Sequence, residues 1–476
     1  MSNTGSSNLN SKYAWSDLVH RGLPKRSGKD RVSDFLEIYG LYDEETAREQ
    51  ASRCIQCPNP TCVSGCPMCN PIPQWMQLTA EGRFLEAAAV LGSVSCMADI
   101  CSRVCPQERL CEESCILTGA SEPVAIASIE RFLAEYAAAH GLLDASTPPP
   151  NGFKVAVVGS GPGGMACAEE LAKLGYAVTI FDTALVPGGL LLNGTPTFKL
   201  EKSIVERRVQ ILQKRGVQFR LGVTLGEDLM LGELRAQFNA VFLGLDSRKA
   251  RPLKIPGAEA QCVMQALPFI LQKNTSVALE LAPMNLNGKK VVVVGGGDTA
   301  MDCIRTALRC GAREVFCSYR RDQDEMPCTP HEFQNALEEG AKFLFQTEPV
   351  EVLTTSTGQL RALRLVYTVP GSHGADGRTL FTARPGTEFE LESDWVILAL
   401  GFDPLPCPHS GCASDLATNE WGGLIIDSRQ MTSIPGVFAG GDVVRGPSLV
   451  LNTVRDGRNG ARGIHAYLSA LKPARS

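Results

Sequence analysis

The chain has 476 residues, of which 44% are hydrophobic, and a formal net charge of -5. This length predicts two to four domains with well-filled cores. The mildly acidic balance excludes a dominant basic field, so we expect neither a nucleic-acid partner nor binding to an anionic membrane surface.

The 18 cysteines suit either a disulfide-rich secreted protein or a metal protein. The first ten residues are polar, without the apolar core of a signal peptide, and no apolar run reaches the roughly 18 residues of a membrane span. We therefore expect a cytoplasmic protein that does not enter the membrane. In that compartment thiols stay reduced, and clustered cysteines usually serve metal or redox chemistry.

The first part of the chain is predicted to be helical. Apolar spacing and acidic helix starts indicate helices at 34–42 and 43–53, two short helices within 72–91, and a longer one at 124–140. We interpret residues 1–145 as an all-α domain. The proline-rich stretch 146–152 is typical of a stiff linker.

A β-branched strand at 154–158 then runs into Gly159-x-Gly161-x-x-Gly164, followed by a helix at 165–174 and a strand ending on Asp182. The first glycine allows a tight turn, the second lets a pyrophosphate approach, and the third lets the helix pack closely. Asp182 would accept hydrogen bonds from a ribose diol. The alternative is a glycine-rich turn without a ligand.

A second unit of the same kind starts about 136 residues later. The strand 290–294 runs into Gly295-x-Gly297-x-x-Ala300, and the strand after the helix ends on Arg320-Arg321 instead of an acid. Guanidinium groups bind a 2′-phosphate that a carboxylate would repel, so this site is predicted to take NADP(H). The alternative is a solvated pair of surface arginines.

The two ribose partners suggest FAD at the first site and NADPH at the second. A late strand ends in Gly440-Gly441-Asp442, and a helix predicted at 448–468 would point its positive end at the flavin ring. The nucleotide regions contain no Cys-x2-Cys dithiol, and their one Cys-x4-Cys pair, Cys407 and Cys412, lies far after the first glycine motif in the sequence. Electrons would therefore leave the flavin through the N-terminal cysteines.

Those cysteines form two runs. The spacings are Cys54-x2-Cys57-x4-Cys62-x3-Cys66-Pro67 and Cys101-x3-Cys105-Pro106-x4-Cys111-x3-Cys115. Close spacing with Cys-Pro is typical of [4Fe–4S] ligation, in which the last cysteine of a run often serves the other cluster. Zinc also binds four thiolates but carries no electrons. From the residues alone, Cys101 is a candidate ligand, whereas Cys69 and Cys96 are spare.

The paired cysteine runs and several longer motifs resemble the small (β) subunit of bacterial glutamate synthase over nearly the whole chain. The motifs are CPQERLCEESC, GGLL, FKLEKSIVERRV, GGGDTAMDCIRTA, YRRD, ALGF and FAGGDVVRGPSLV. The sequence is also similar to the N-terminal half of dihydropyrimidine dehydrogenase and to the large subunit of NADH-dependent ferredoxin:NADP transhydrogenase.

The resemblance implies two interleaved [4Fe–4S] clusters. The first would be held by Cys54, Cys57, Cys62 and Cys115, and the second by Cys66, Cys105, Cys111 and Glu130. Cys101 would then be a neighbour of the second cluster and not a ligand. The alternative for Glu130 is a solvated helix residue.

The resemblance also completes the expected nucleotide sites. The FAD-binding residues are Gly159, Gly161, Pro162, Gly163, Gly164, Asp182, Gly189, Leu190, Lys199, Gly441, Asp442, Ser448 and Leu449. The NADPH-binding residues are Gly295, Gly297, Asp298, Thr299, Arg320, Arg321 and Gly401. The sequence departs from the family pattern at EMPCTPHEF (325–333) and at Asn452, both near the expected nicotinamide or flavin region.

The expected fold class is α/β, with two glutathione-reductase-type, Rossmann-like domains after the all-α iron–sulfur domain. FAD would bind the discontinuous domain 153–285 and 401–476, and NADPH the domain 286–400. Hydride transfer from NADPH to FAD needs positioning more than an acid or base, so no catalytic residue is predicted.

The resemblance implies the function of an NADPH-dependent oxidoreductase. Electrons would pass from NADPH through FAD and the clusters to a large (α) subunit that carries FMN and makes glutamate from glutamine and 2-oxoglutarate, in a hetero-oligomer. One alternative is an electron-transfer subunit of a transhydrogenase or sulfide dehydrogenase with a different partner. The other is a zinc-stabilised sensor that only holds nucleotides.

Overall fold

The computed structural model describes residues 13–142, 148–246, 248–274, 284–373, 379–404 and 416–471. Residues 1–12 and 143–147, which include the first part of the predicted linker, lie outside the described residues.

The N-terminal region is helical, as its apolar spacing predicts. Its helices are α1 (Ala14–Asp17), α2 (Gly28–Arg31), α3 (Glu44–Ser52), α4 (Thr61–Ser64), α5 (Ile72–Ala80), α6 (Phe84–Val94), α7 (Ala98–Val104) and α8 (Ile126–Ala139), with a 3₁₀ turn at Gln107–Arg109. The carboxylate of Asp43 caps α3 by accepting from Thr46 N at 2.7 Å. The α8 side chains Ile129 and Leu133 are fully buried.

The helix predicted at 34–42 is wrong. That segment consists of bends and an isolated bridge between Lys25 and Tyr39. Asp34 Oδ1 accepts from the backbone N–H of Leu36 at 2.9 Å, and its carboxylate also pairs with Arg26. A local side-chain bond of this kind competes with helical hydrogen bonding, which explains the difference.

The two nucleotide regions supply the remaining elements. In chain order they are β1 (Lys154–Val158), α9 (Pro162–Ala172), β2 (Ala177–Asp182), α10 (Gly189–Asn193), α11 (Lys202–Lys214), β3 (Gln218–Leu221), α12 (Leu231–Gln237), β4 (Ala240–Leu243), β5 (Arg248–Ala250), β6 (Val263–Gln265), α13 (Ala266–Asn274), β7 (Lys290–Val294), α14 (Asp298–Arg309), β8 (Glu314–Tyr319), α15 (Pro330–Glu338), β9 (Lys342–Phe345), β10 (Thr347–Thr354), β11 (Leu360–His373), β12 (Thr379–Ala383), β13 (Phe389–Glu392), β14 (Trp395–Leu398), β15 (Phe402–Pro404), β16 (Val437–Ala439), α16 (Asp442–Arg445) and α17 (Val450–Leu471).

Two parallel sheets of five strands carry the two glycine motifs. The first has the order β16-β4-β1-β2-β3 and the second β6-β14-β7-β8-β9. The motif strands β1 and β7 are central, so the loop after each opens at the carboxyl edge of its sheet, where α/β folds bind ligands. Strands β10 to β13 form a separate antiparallel sheet.

The second nucleotide domain begins earlier than the predicted boundary at 286. Strand β6 pairs with β14 in the second sheet, although its residues fall within the range 153–285 assigned to the first domain. Strand β5 pairs antiparallel with β15, so the two passages of the chain between the sheets run side by side as a two-stranded ribbon.

The helical domain and the first nucleotide domain share one apolar core. It joins Trp75 and Leu133 of the helices to Val157 and Phe242 of the first sheet. The second nucleotide domain has its own core around Phe269 and Met301. In the described part of the chain no single helix is long and apolar enough to cross a membrane; α6 and α7 pass that test only as a pair, bent by 82°.

Candidate functional site

Four cysteines of the predicted first cluster line one cavity, which we name the outer cavity. They are Cys54 and Cys57 after α3, Cys62 on α4, and Cys115 from the second run. All four are partly exposed. The structure thus brings Cys115 back to the first run, as the interleaved assignment requires.

A second cavity, the inner cavity, contains the other predicted donors. It is lined by Cys66, Cys105, Cys111 and Glu130, together with Cys101. Cys66, Cys101 and Cys111 are buried. Five candidate donors therefore surround this cavity, and its geometry alone does not decide between Glu130 and Cys101.

The cavities have a common wall and different neighbours. Ile72 and Ile126 line both of them. The inner cavity is also lined by Leu451, from the first turn of α17. Leu451 is not among the predicted site residues. It directly follows the motif GPSLV, and only a prediction that this motif packs on the cysteine region would have identified it.

Burial raises the pKa of the cavity thiols. The pKa is raised to about 11 for Cys54 and Cys66 and to about 12 for Cys62. Burial, with the nearby charges of Asp99 and Glu112, also raises the pKa of Glu130 to about 8. Such donors prefer the protonated form until a cation lies between them, and bound iron would supply that positive charge.

The donor chemistry fits iron–sulfur clusters, because thiolates are their usual ligands. The thiols line the outer and inner cavities, and each cavity could hold a multi-atom cluster. Among the described residues, no three His, Cys, Asp or Glu side chains come together closely enough to hold a single metal ion.

The first glycine loop has the geometry that its sequence predicts. Gly159 has φ +102°, and a Cβ there would lie 2.3 Å from the carbonyl oxygen of Gly244. A Cβ on Gly164 would lie 1.8 Å from the Gly159 oxygen. Gly161 faces open space, so its backbone is accessible to a phosphate.

Helix α9 begins at Pro162, three residues earlier than predicted, because proline suits the first helical position. Gly163 lies against Thr453 of α17, and a Cβ on Gly163 would approach that side chain to 2.9 Å. Gly189 and Leu190 begin α10, and Gly189 lies directly beside Gly161. The open space at Gly161 is therefore close to the start of two helices.

Asp182 ties the glycine loop to the end of β2. Its Oδ2 accepts from Ser160 N and Ser160 Oγ, both at 2.6 Å, and its Oδ1 accepts from Ala184 N at 2.8 Å. A carboxylate has about four acceptor positions, so these three bonds leave capacity for a ribose hydroxyl.

The second glycine loop repeats the first. Gly295 has φ +137°, and a Cβ there would lie 2.2 Å from the carbonyl oxygen of Ala399. Gly297 faces open space. Asp298 and Thr299 start α14, and Asp298 Oδ1 accepts from Thr329 N at 2.9 Å. The segment EMPCTPHEF, which differs from the family pattern, therefore packs directly on this loop.

The two arginines after β8 have different surroundings. Arg320 is exposed, whereas Arg321 is buried and its Nε lies 3.5 Å from Glu325 Oε2. They do not form a solvated surface pair. Gly401 follows β14, the parallel neighbour of β7, and has φ +87° with open space at its Cβ position.

The predicted C-terminal flavin contacts lie beside α17. Gly441 has φ +81° and donates from its N–H to Asp456 Oδ2 at 3.0 Å, and the buried Asp442 starts α16. Ser448 Oγ is buried and has no hydrogen-bond partner among the described residues, while Leu449 is partly exposed. An unsatisfied buried hydroxyl fits a ligand that would pair with it.

Lys199 lies at an interface between domains. Its ammonium is 2.9 Å from Asp302 Oδ1 and 3.7 Å from Glu332 Oε2, both in the second nucleotide domain. The sequence reasoning did not foresee these partners, because no local pattern links positions more than 100 residues apart.

Comparison with known proteins agrees with this architecture. Residues 31–142 match a family described as dihydropyrimidine dehydrogenase domain II, 4Fe-4S cluster. Residues 153–457 match the pyridine nucleotide-disulphide oxidoreductase family. An iron–sulfur domain is thus followed by a flavin- and NADP-type oxidoreductase fold.

Two relatives align over nearly their whole length. The glutamate synthase (NADPH) small chain of Azospirillum brasilense is 43% identical, with 94% of this chain and 95% of that protein covered. The chain belongs to the glutamate synthase small-chain family. The corresponding Escherichia coli (strain K12) small chain is 38% identical, with 96% and 98% covered. The resemblance noted from the motifs is confirmed.

The fold is also similar to that of a solved structure, Mycobacterium tuberculosis FprA in complex with NADPH. The TM-score is 0.56 at 21% identity, covering 68% of this chain and 85% of that one. The predicted α/β fold class, with an all-α iron–sulfur domain in front, is confirmed.

Proposed function

We propose that this chain is the NADPH-oxidising subunit of a glutamate synthase. It would deliver electrons to a large subunit that carries FMN and makes glutamate from glutamine and 2-oxoglutarate. The observation that carries the proposal is the inner cavity, where cysteine donors and Leu451 of α17 line the same space. An iron–sulfur cluster held there would lie against the helix that packs on the first glycine motif, and this supports the proposal.

FAD would be held by the first loop and by the C-terminal segment. Gly161 offers open backbone at the start of α9, Asp182 retains capacity for a ribose hydroxyl, and Ser448 presents an unpaired hydroxyl. Bound FAD supplies the step from a two-electron donor to one-electron carriers. The protein supplies orientation, and Gly189 keeps the approach to Gly161 free of a side chain.

NADPH would be held by the second loop. Gly297 and the start of α14 face the phosphates, and Arg320 presents an exposed guanidinium at the strand end where a 2′-phosphate would lie. Arg321 supports this edge through its contact with Glu325.

Two [4Fe–4S] clusters would occupy the cavities, one in each. The outer cavity offers four thiols, and the inner cavity offers three with Glu130 as the expected fourth donor. Because the inner cavity borders α17 and the outer cysteines are partly exposed, we expect the outer cavity to face the large subunit in the hetero-oligomer.

The proposal is tested by the cofactors and by the coenzyme preference of the purified chain. We expect about eight iron and one FAD per chain, from two four-iron clusters. NADPH should bleach the flavin absorbance anaerobically far faster than NADH. A zinc protein without flavin, or a clear preference for NADH, would overturn the proposal.

A substitution at Arg320 tests the assignment of NADPH to the second loop. Arg320→Ala should raise the KM for NADPH by about 10- to 100-fold, the value of a hydrogen bond to a charged group, with little change for NADH. Arg313→Ala is the matched control, because Arg313 is exposed on the same domain away from the strand end. Equal effects of the two substitutions would contradict a 2′-phosphate contact.

A further inference from the structure

A buried cluster of charges lies where the three domains meet, and we name it the three-domain junction. Its members are Arg31 of the helical domain, Phe198 and Lys199 of the first nucleotide domain, and Asp302, Arg305, Arg309, Glu332 and Glu339 of the second. Of these residues, only Lys199 belongs to the cofactor sites expected from the sequence.

The arginine side chains of the junction and the carboxylate of Glu339 are fully buried. The guanidinium groups of Arg305 and Arg309 stack on the ring of Phe198, with centroid distances of 4.4 and 4.0 Å. Glu339 accepts from Arg305 at 3.1 Å and from Arg31 at 2.7 Å. Side chains paired in this way in a low-dielectric interior have little freedom to exchange partners.

Lys199 is the cation that the first nucleotide domain contributes. Its side chain is 14% exposed, and its carboxylate partners Asp302 and Glu332 are similarly enclosed. The charges of these carboxylates outweigh burial and raise the pKa of Lys199. The ammonium is therefore charged at neutral pH. Separating the domains would take this cation away from Asp302, whereas Glu332 would keep its ion pair with Arg305.

Each residue of this ion pair lies close in sequence to an element that begins at one of the two nucleotide loops. Asp302 lies on α14 four residues after Asp298, about one helical turn from the start that faces the NADPH phosphates. Lys199 lies between α10, which begins beside Gly161, and α11. A shift of the ion pair would therefore move one nucleotide site relative to the other.

We propose that Lys199 is a positioning residue that sets how the nicotinamide approaches the flavin by pairing with Asp302 across the domain interface. The inference rests on the proposed function, because it concerns hydride transfer between the two sites. It differs from the FAD contact that the family resemblance implies for Lys199, since here the residue acts through the second domain.

A double-mutant cycle tests this role. In Lys199→Met and Asp302→Asn, the rate constant of flavin reduction by saturating NADPH should fall at least about tenfold, because a misplacement of about 1 Å can cost about 10²-fold. The double variant should be no slower than the slower single variant, since the pair acts as one unit. The NADP+ dissociation constant, measured from the flavin difference spectrum, should change less than threefold.

The cycle has two controls. Lys289→Met removes an ion pair of similar length, 3.1 Å to Asp394, that lies within the second domain, and it should leave the reduction rate unchanged. Lys199→Arg keeps the cation and should recover most of the rate. If Lys199→Met does not fold, the near-isosteric Asp302→Asn still measures the effect.

The outcomes separate the two proposals. Failure of NADPH to reduce the unsubstituted protein would overturn the proposed function. Rapid reduction of the unsubstituted protein, with Asp302→Asn equally fast, would overturn the positioning role alone. Loss of FAD in Lys199→Met, with additive effects in the double variant, would show that Lys199 acts on the flavin directly.

Discussion

The inner and outer cavities are built from the same kind of donor but have different surroundings. The outer cavity is formed by four partly exposed cysteines, with the exposed Ile116 at its edge. The inner cavity has buried cysteines, a carboxylate and a contact with α17. The donor atoms determine what a cavity can bind, whereas its neighbours determine its place on an electron route.

The largest expected effect comes from removing one donor of either cavity. Cys57→Ala in the outer cavity and Cys111→Ala in the inner cavity should each reduce the iron content from about eight to about four per chain. Iron and acid-labile sulfide analysis measures this directly. Loss of all the iron from either variant, in a folded protein, would mean that the cavities do not fill independently.

The fourth donor of the inner cavity is decided by a pair of variants. Glu130→Ala should change the electron paramagnetic resonance spectrum of one reduced cluster, because the resemblance makes Glu130 its ligand. Cys101→Ala should leave that spectrum and the iron content unchanged. The opposite result would make Cys101, which lines the same cavity, the ligand.

The side chains that separate the two cavities should contribute to the stability of the folded chain. Ile72 is 2% exposed and lines each cavity, so Ile72→Ala should destabilise the folded chain by about 2–5 kcal/mol. Urea unfolding followed by circular dichroism would measure the change. Leu85→Ala, at a side chain 41% exposed, is the control, and an equal loss there would argue against a packed wall.

The smallest effect is expected at the edge of the outer cavity. Ile116 is 59% exposed, so Ile116→Ser should change the free energy of unfolding by no more than about 0.5 kcal/mol. Iron content should also be preserved. A large loss of stability in the isolated chain would show that this edge is packed in solution, and the contrast between the cavities would then be weaker.

Short-range patterns allowed much of this structure to be predicted. The loops at Gly159 and Gly295 need glycine for reasons that act within a few residues, and both form where the sequence places them. The helix predicted at 34–42 fails for an equally local reason, the bond from Leu36 N to Asp34 Oδ1. The sequence does contain this turn-favouring carboxylate, but the helix prediction gave more weight to the apolar spacing.

Contacts between distant segments could not be predicted from spacing. The ion pair of Lys199 with Asp302 joins the two nucleotide domains, and the extension of the second sheet to β6 depends on its pairing with β14. The contact of Leu451 with the cysteine region joins opposite ends of the chain. The grouping of Cys115 with the first cysteine run came from family resemblance and not from spacing.

The ribbon of β5 and β15 gives the second nucleotide domain a single stalk, since the chain enters and leaves it at one place. We expect that such a domain can be replaced as a unit by the corresponding domain of a relative. A relative's NADPH domain grafted at the stalk would bring its own coenzyme preference without altering the flavin loop. The graft would also need carboxylates at the positions of Asp302 and Glu339, which pair with Lys199 and Arg31 in this chain.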